Sequence, residues 1–177
     1  RDRKAQVLRD VRRMSVDEAA ERSRRGRYTA GTIGDREVPA YVDEEGVDPD
    51  QGTETYAEVT LAIDNWRWAG VPFRLRSGKA LGADRREIAV TFREVPHLAF
   101  GAEAARNRLR IELEPERLAL ELNVTAPGEP LTLERIALEH ELAEQPLPAY
   151  AHVLQAILTG DPTLSIRDDE AVSSWEI

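Results

Sequence analysis

Residues 64–79 read Asp-Asn-Trp-Arg-Trp-Ala-Gly-Val-Pro-Phe-Arg-Leu-Arg-Ser-Gly-Lys. Within this stretch Val71, Phe73 and Leu75 alternate with Pro or Arg, which predicts a strand with one apolar face. Lys79 follows a predicted Ser-Gly turn at the mouth of a sheet. Backbone amides and a long side chain suit such a lysine to reach a phosphate group as a point charge. The alternative interpretation is a solvated cation at a strand end.

The composition is that of a globular protein with room for one domain and a core, since 41% of the 177 residues are hydrophobic and 32% are charged. The 33 acidic residues against 24 Lys and Arg give a net charge of -9, which argues against a nucleic-acid partner. The chain has no Cys, no signal-peptide pattern and no long apolar run. These features predict a cytoplasmic protein that does not cross a membrane. Because the chain starts with Arg and a helical pattern follows at once, we expect a piece of a longer protein.

Helical spacing of apolar residues occurs at both ends of the chain. A Ser-x-x-Glu capping box at residues 15–18 marks one helix start. The predicted helices span residues 2–14, 15 to about 24, 148–160, and a last segment after Asp169.

Alternation of apolar and polar residues predicts a series of strands. The clearest cover residues 53–63, 87–92, 108–113 and 118–124, with others at 28–34, at 71–76 and from 131 onward, while 35–52 is predicted to be a loop. No helix-length crossover separates most of them, so the sheet should be antiparallel. We therefore expect an α+β fold, in which helices pack on one face of a large, mostly antiparallel sheet of roughly six or more strands. The 148–160 helix is the predicted cover, and the other face carries charge.

The block Trp-Ala-Gly-Val-Pro-Phe-x-Leu-Arg-Ser-Gly-Lys at 68–79 has Thr-Glu-Thr-Tyr before it at 53–56, and Glu-Ile and Val-Pro-His after it. Together these motifs resemble the C-terminal domain of glucose-6-phosphate dehydrogenase along the whole of residues 1–177. The resemblance implies a single domain whose N-terminal, dinucleotide-binding partner is absent. It also implies that the full-length parent oxidises glucose 6-phosphate to 6-phosphogluconolactone with NADP, the first step of the pentose phosphate pathway, and that Lys79 contacts the sugar phosphate.

The chain departs from the family pattern at two positions. Many members place a second basic residue five positions after the lysine, where Asp84 stands here. Either the adjacent Arg85 replaces that phosphate contact, or the phosphate is held mainly by Lys79 and by residues of the absent domain. A Gln that touches the sugar in several members is Glu114 here. Eukaryotic members bind a second, structural NADP through basic residues on neighbouring strands, and because one of those positions is Glu112, we predict no such site.

The groups that hydride transfer requires are not found in this sequence. No Gly-x-Gly-x-x-Gly turn joins a strand to a helix, and the family's Asp-His-Tyr catalytic motif does not occur. We therefore expect no catalytic residue and no bound cofactor in this chain, which alone should be inactive. His97, His140 and His152 are interpreted as ordinary structural or surface residues. The acidic runs at 43–45 and 168–170 lack calcium-loop spacing, so no metal site is predicted.

The family resemblance also implies a homodimer formed through the sheet. Alternating charges such as Arg108, Arg110 and Glu112 on the polar face could pair across a twofold axis, which predicts a salt-sensitive interface. Asp84 and Glu114 support an alternative function, a non-catalytic structural or dimerisation module derived from the same family.

Overall fold

The computed structural model describes residues 2–95, 104–128, 132–143 and 147–177. The predicted α+β class is confirmed, because every strand pairing in this part of the chain is antiparallel and helices lie at both ends. The helices are α1 (Asp2–Asp10), α2 (Val16–Arg22), α3 (Ala149–Leu158) and α4 (Asp168–Trp175). The strands are β1 (Ser23–Gly26), β2 (Gly31–Ile33), β3 (Arg36–Val38), β4 (Tyr56–Leu61), β5 (Phe73–Gly78), β6 (Glu87–Thr91), β7 (Arg108–Leu113), β8 (Glu116–Thr125) and β9 (Leu133–Glu141).

The strands divide among three sheets, with orders β1-β4-β5, β2-β3 and β6-β7-β8-β9. This corrects the expectation of one sheet with six or more strands. Alternation along a strand specifies which side chains share a face, but it does not specify which strand lies alongside, and the prediction failed for that reason. The predicted β7–β8 hairpin is confirmed, since Leu113 pairs with Glu116 across the Glu114-Pro115 connection.

The chain contains two compact units, Arg1–Ala83 with Ala149–Ile177, and Asp84–Pro148. The first holds the three-stranded and two-stranded sheets and all four helices, whereas the second holds the four-stranded sheet. A single domain over residues 1–177 stays a prediction. The interpretation of His97 and of the Val-Pro-His motif falls on residues outside the described ranges.

The first segment of the chain differs from its prediction in where the helices end. Helix α1 stops at Asp10, because Val11 leaves it to form an isolated antiparallel bridge with Ile63. The capping box is confirmed, with the Glu18 amide donating to Ser15 Oγ at 3.3 Å and the Ser15 amide donating to Glu18 Oε2 at 3.1 Å. Helix α2 then ends at Arg22, where the sequence had predicted about two further residues.

Two strands were missed at the sequence level. The basic run after α2 forms β1, an outer strand of the first sheet, where the sequence had predicted that the second helix continues to about residue 24. Strand β3 lies in the stretch predicted to be loop, and it pairs with β2 through a turn at Gly34, whose φ of 57° suits glycine. Three or four residues with little apolar alternation carry too weak a period-two signal to be identified.

Helix α3 has the predicted position but not the predicted burial. Its apolar stripe is exposed, with Tyr150 at 85% and Leu158 at 86% of full accessibility, while Ala156 is buried. The described core is made of small or medium side chains, listed as Ala5, Val11, Val38, Ile63, Ala119 and Ala156. Every described helix is also too short or too polar to span a bilayer.

Candidate functional site

The turn before β5 is built from polar and aromatic residues of the 64–79 stretch through local contacts. The Asn65 side chain accepts a hydrogen bond from the Trp68 amide at 3.0 Å and donates one to Asp10 Oδ2 at 2.9 Å. The Trp68 ring packs edge-on against Phe73, the first residue of β5, with ring centroids 5.2 Å apart. Gly70 has a φ of 76°, which reverses the chain into the strand. This turn therefore fixes where β5 begins.

Lys79 lies directly after the last residue of β5, so the predicted Ser-Gly turn is in fact the end of the strand. Its backbone amide donates to the Thr55 carbonyl at 2.9 Å, which ties it to the residue before β4. The side chain is exposed, and it makes no hydrogen bond or ion pair with any residue that the structure describes. Ala80 follows with a φ of 52°, an uncommon conformation for a residue other than glycine. The backbone of Lys79 is thus anchored, whereas its ammonium group has no partner among the residues that the structure describes.

Gly78 is in close contact with its neighbours on the side where a side chain would stand. A Cβ there would lie 2.9 Å from Tyr56 Cδ2 and 3.3 Å from both Leu81 Cδ atoms. Any side chain at position 78 would therefore force the ring or the strand end to move. The sequence motif has glycine before the lysine for a steric reason that the spacing alone did not reveal.

The two arginines of β5 differ from Lys79 in having a carboxylate partner. Glu58 on β4 accepts from Arg76 Nε at 2.7 Å and lies 3.9 Å from Arg74 Nε. The Arg76 hydrogen bond is the main cause that holds the pKa of Glu58 below its usual value. These arginines are therefore engaged within the β4–β5 hairpin.

Arg85, the second predicted phosphate ligand, belongs to the other compact unit. Its guanidinium lies 4.0 Å from Glu87 Oε1 and is largely exposed. The neighbouring Arg86 pairs with Glu114, the residue that replaces the family's Gln. A common phosphate-binding role of Lys79 and Arg85 stays a prediction.

The charged face of the β6–β9 sheet is a network of ion pairs. Arg110 bridges Glu87 and Glu112 at 2.8 Å each, and Arg117 bridges Glu112 at 2.8 Å and Glu139 at 3.1 Å. Further along the strands Arg135 binds Glu121 at 2.6 Å. The alternation predicted from the sequence is present, and its charges neutralise one another within the sheet.

Tyr28 has a raised pKa, although the sequence had not singled it out. The Tyr28 hydroxyl donates to Glu44 Oε1 at 2.5 Å, and this hydrogen bond to the carboxylate raises the pKa of Tyr28 to about 12. Its ring also packs edge-on against Tyr41 at 5.7 Å. A phenol held neutral in this way cannot serve as a base near neutral pH, so this group orders the 28–44 segment.

Metal binding has no candidate group in the described part of the chain, where no three His, Asp or Glu residues converge. His140 lies on β9 between glutamates that point to the opposite face, one of which, Glu139, binds Arg117. At the start of α4, Asp169 Oδ1 accepts a hydrogen bond from Arg167 at 2.8 Å, and the same guanidinium donates to Asp2 Oδ1 of α1 at 2.6 Å.

Residues 1–177 match the family described as glucose-6-phosphate dehydrogenase, C-terminal domain. The chain belongs to that family. It is 38% identical over 184 residues to glucose-6-phosphate 1-dehydrogenase of Bacillus subtilis, an alignment that covers 99% of this chain and 37% of the relative. The chain therefore spans little more than a third of that relative's length.

Solved glucose-6-phosphate dehydrogenases share the fold. The crystal structure from Mycobacterium avium has a TM-score of 0.76 at 29% identity, and it covers 99% of this chain and 36% of that one. A glucose-6-phosphate dehydrogenase in complex with its substrate glucose 6-phosphate has a TM-score of 0.78 at 31% identity, with the same coverage of 99% and 36%. The family resemblance drawn from the 68–79 block is confirmed.

One further feature of the glucose-6-phosphate dehydrogenase motif could have been recognised from the sequence, and another could not. Lys4 and Lys79 are the two lysines among the 24 basic residues of the chain, which sets Lys79 apart from its arginine neighbours. Tyr56 ends the Thr-Glu-Thr-Tyr motif, but its contact with Gly78 depends on strand register. Sequence spacing does not supply that register.

Proposed function

We propose that this chain is the substrate-side domain of an NADP-dependent glucose-6-phosphate dehydrogenase, in which Lys79 binds the phosphate of glucose 6-phosphate. The observation that carries the proposal is that the Lys79 side chain is exposed and has no partner among the described residues, while its backbone is fixed at the end of β5. Membership of the family supports the oxidation of glucose 6-phosphate by the full-length parent. NADP as acceptor, the first step of the pentose phosphate pathway and a cytoplasmic location are parts of the same proposal.

The chemistry of the site fits this role. A phosphate group needs a cation that its own protein has not already neutralised, and Arg74 and Arg76 share Glu58 whereas Lys79 has no such partner in the described residues. Lysine binds phosphate as a point charge on a flexible stem, which suits a strand-end position. Arg85 is a second, weaker candidate. Hydride transfer itself is proposed for the full-length protein, and the isolated chain is proposed to be inactive.

The test is Lys79→Ala in the full-length protein that contains this chain. Loss of one charged contact to phosphate should weaken binding by about 1.5 to 3 kcal/mol, so that the KM for glucose 6-phosphate rises by roughly tenfold or more while kcat changes less. Lys4→Ala is the matched control, because Lys4 is also an exposed lysine without a described partner. An unchanged KM in Lys79→Ala would reject the phosphate role. A full-length protein with no dehydrogenase activity would favour the alternative, a non-catalytic structural module.

The proposed partner is a second copy of the chain, bound through the β6–β9 sheet. The support is the balanced charge of its polar face, where arginines of β7 and β8 pair with glutamates of the same or the adjacent strand. A second copy could extend such a network without bringing together charges of one sign.

A further inference from the structure

We propose that Tyr56 is a positioning residue for Lys79, whose ring packs on the backbone of Gly78 and fixes the direction in which the end of β5 presents the lysine. This inference rests on the proposed function of Lys79 as the phosphate ligand. Tyr56 itself is not proposed to touch the substrate.

The strand register places Tyr56 between two glycines. On β4 it pairs with Gly26 of β1 on one side and with Gly78 of β5 on the other. A Cβ built on Gly78 would lie 2.9 Å from the Tyr56 ring, whereas a Cβ built on Gly26 would meet nothing within 4 Å. The ring therefore leans over Gly78 alone. An aromatic side chain over a glycine on the neighbouring strand is a known stabilising pair in antiparallel sheets.

The backbone of Lys79 is held at the start of β4, where Tyr56 contacts Gly78. The Lys79 amide donates to the carbonyl of Thr55, the residue before Tyr56, at 2.9 Å. Beyond Lys79, Ala80 has a positive φ, and Leu81 lies beside the Tyr56 ring on the same side of Gly78. The backbone at Gly78 and Lys79 is thus held by Tyr56 and its neighbour Thr55. Because the ammonium has no partner in the described chain, this backbone is what determines where it can reach.

The ring of Tyr56 is oriented by a second contact. Its hydroxyl donates to Glu58 Oε2 at 3.1 Å, on the same face of β4, and Glu58 also binds Arg76 on β5. The packing on Gly78 needs only the ring, whereas the link to Glu58 needs the hydroxyl. Tyr56→Phe and Tyr56→Ala therefore separate the two contributions.

The experiment measures KM for glucose 6-phosphate, KM for the nucleotide and kcat in the full-length enzyme. Tyr56→Ala should raise the sugar KM by roughly three- to tenfold, with a smaller change in kcat and in the nucleotide KM, because the lysine is displaced and not removed. Tyr56→Phe should stay within about twofold of the wild type, since the ring remains. Equal losses in Tyr56→Phe and Tyr56→Ala would contradict the role of the ring.

The matched pair of glycine variants tests the same contact from the other strand. Gly78→Ala should raise the sugar KM, because its new methyl group displaces the Tyr56 ring, whereas Gly26→Ala should leave the KM unchanged. Both positions lie in strands and neither has a positive φ, so the substitutions differ mainly in this contact. If Tyr56→Ala does not fold, Gly78→Ala and Tyr56→Leu carry the test. A normal KM in Gly78→Ala would overturn the proposal.

The double variant Lys79→Ala with Tyr56→Ala distinguishes positioning from a general loss of structure. If Tyr56 acts through Lys79, the second substitution should change the sugar KM by less than about twofold once the lysine is gone. If Tyr56→Ala still raises the sugar KM by its full factor when Lys79 is already replaced by alanine, the inference is wrong. The proposed function would not be affected by that result. An unchanged KM in Lys79→Ala alone rejects the proposed function, and this inference with it.

Discussion

The polar face of the β6–β9 sheet and the end of β5 use basic residues in opposite ways. On the sheet, Arg110 and Arg117 each lie between two glutamates at distances of 2.8 to 3.1 Å. At the end of β5, Lys79 is exposed and has no partner in the described ranges. A cation surrounded by carboxylates stabilises the sheet, whereas a cation without a carboxylate partner is available to an anionic ligand.

The position along the strand explains the difference. A residue in the middle of a strand has neighbours on the adjacent strands at fixed spacing, so opposite charges placed there meet. Lys79 follows its strand, and the register ends at the Tyr56–Gly78 pair. Arginine suits the first environment because its planar group binds two carboxylates at once, and lysine suits the second because its charge is compact and mobile.

The largest effect on stability is expected from Glu112→Ala. Glu112 binds both Arg110 and Arg117 and its side chain is only 11% exposed. Its loss removes one close carboxylate partner from each of these partly buried arginines, whose other close partners are Glu87 and Glu139 respectively. The free energy of unfolding of the chain should fall by about 1 to 3 kcal/mol in urea titrations.

Glu139→Ala is the control for that comparison, since Glu139 makes one pair and is 48% exposed. It should cost about 0.5 kcal/mol or less, as exposed ion pairs do. Equal costs for the two variants would contradict the larger contribution expected of Glu112, which is less exposed and makes two ion pairs.

Self-association tests whether the same face also serves a second copy. Sedimentation of the chain at high concentration should show a dimer that weakens as salt rises from low values to about 0.5 M, because mobile ions screen charges across an exposed interface. Glu112→Ala should weaken the dimer as well. A chain that is monomeric at every salt concentration would show that these strands alone do not carry the proposed contact.

Arg85 is intermediate between the neutralised arginines of the β6–β9 sheet and Lys79 in how close it lies to a carboxylate. It is exposed, but Glu87 lies 4.0 Å away and Asp84 precedes it. In the full-length enzyme, Arg85→Ala should raise the KM for glucose 6-phosphate by about two- to threefold, less than Lys79→Ala, since a partly neutralised cation binds phosphate less strongly. Arg86→Ala, which removes the partner of Glu114, is the neighbouring control. A larger effect from Arg85 than from Lys79 would reverse their proposed roles.

The smallest effect is a pH dependence of the β4–β5 hairpin. The pKa of Glu58 is depressed below its ordinary 4.5, chiefly by the hydrogen bond from Arg76. Its contribution to stability is therefore complete above pH 4.5 and is lost as the pH falls through the lower, folded pKa. The melting temperature of Glu58→Gln should lie below that of the wild type at pH 7, and the gap should close toward pH 3.

Glu54→Gln provides the reference for that measurement, because Glu54 pairs with Arg25 at 3.6 Å and is more exposed than Glu58. The difference in melting temperature between Glu54→Gln and the wild type at pH 7 should be smaller than that for Glu58→Gln. A Glu58→Gln gap that stays constant between pH 7 and pH 3 would show that the carboxylate charge does not stabilise the hairpin.

Much of the fold was predicted from local signals. The capping box at Ser15 and Glu18 gave the start of α2, and the alternation in 108–124 gave the β7–β8 hairpin, because both depend on neighbours within a few residues. Strands β1 and β3 were missed because they are short and polar. The exposed stripe of α3 shows the other limit, since an amphipathic pattern predicts a helix but does not identify what covers it.

Some residues of the candidate site were also found from the sequence, whereas others were found only from the structure. Lys79 was found from the Gly-Lys motif and the family resemblance, and Arg85 from its distance along the chain. The roles of Tyr56, Glu58 and Gly78 were not found, because they depend on which residues of β4 and β5 stand opposite each other.

The amino-acid sequence by itself determined the family, the α+β class, the main strands and the position of Lys79, all of which are written in local periodicity and in one uncommon block of residues. Only the tertiary structure decided which cations are neutralised, how the strands divide among three sheets and why glycine precedes the lysine. These properties depend on distances between residues far apart in the chain, where strand register and side-chain packing set which groups meet.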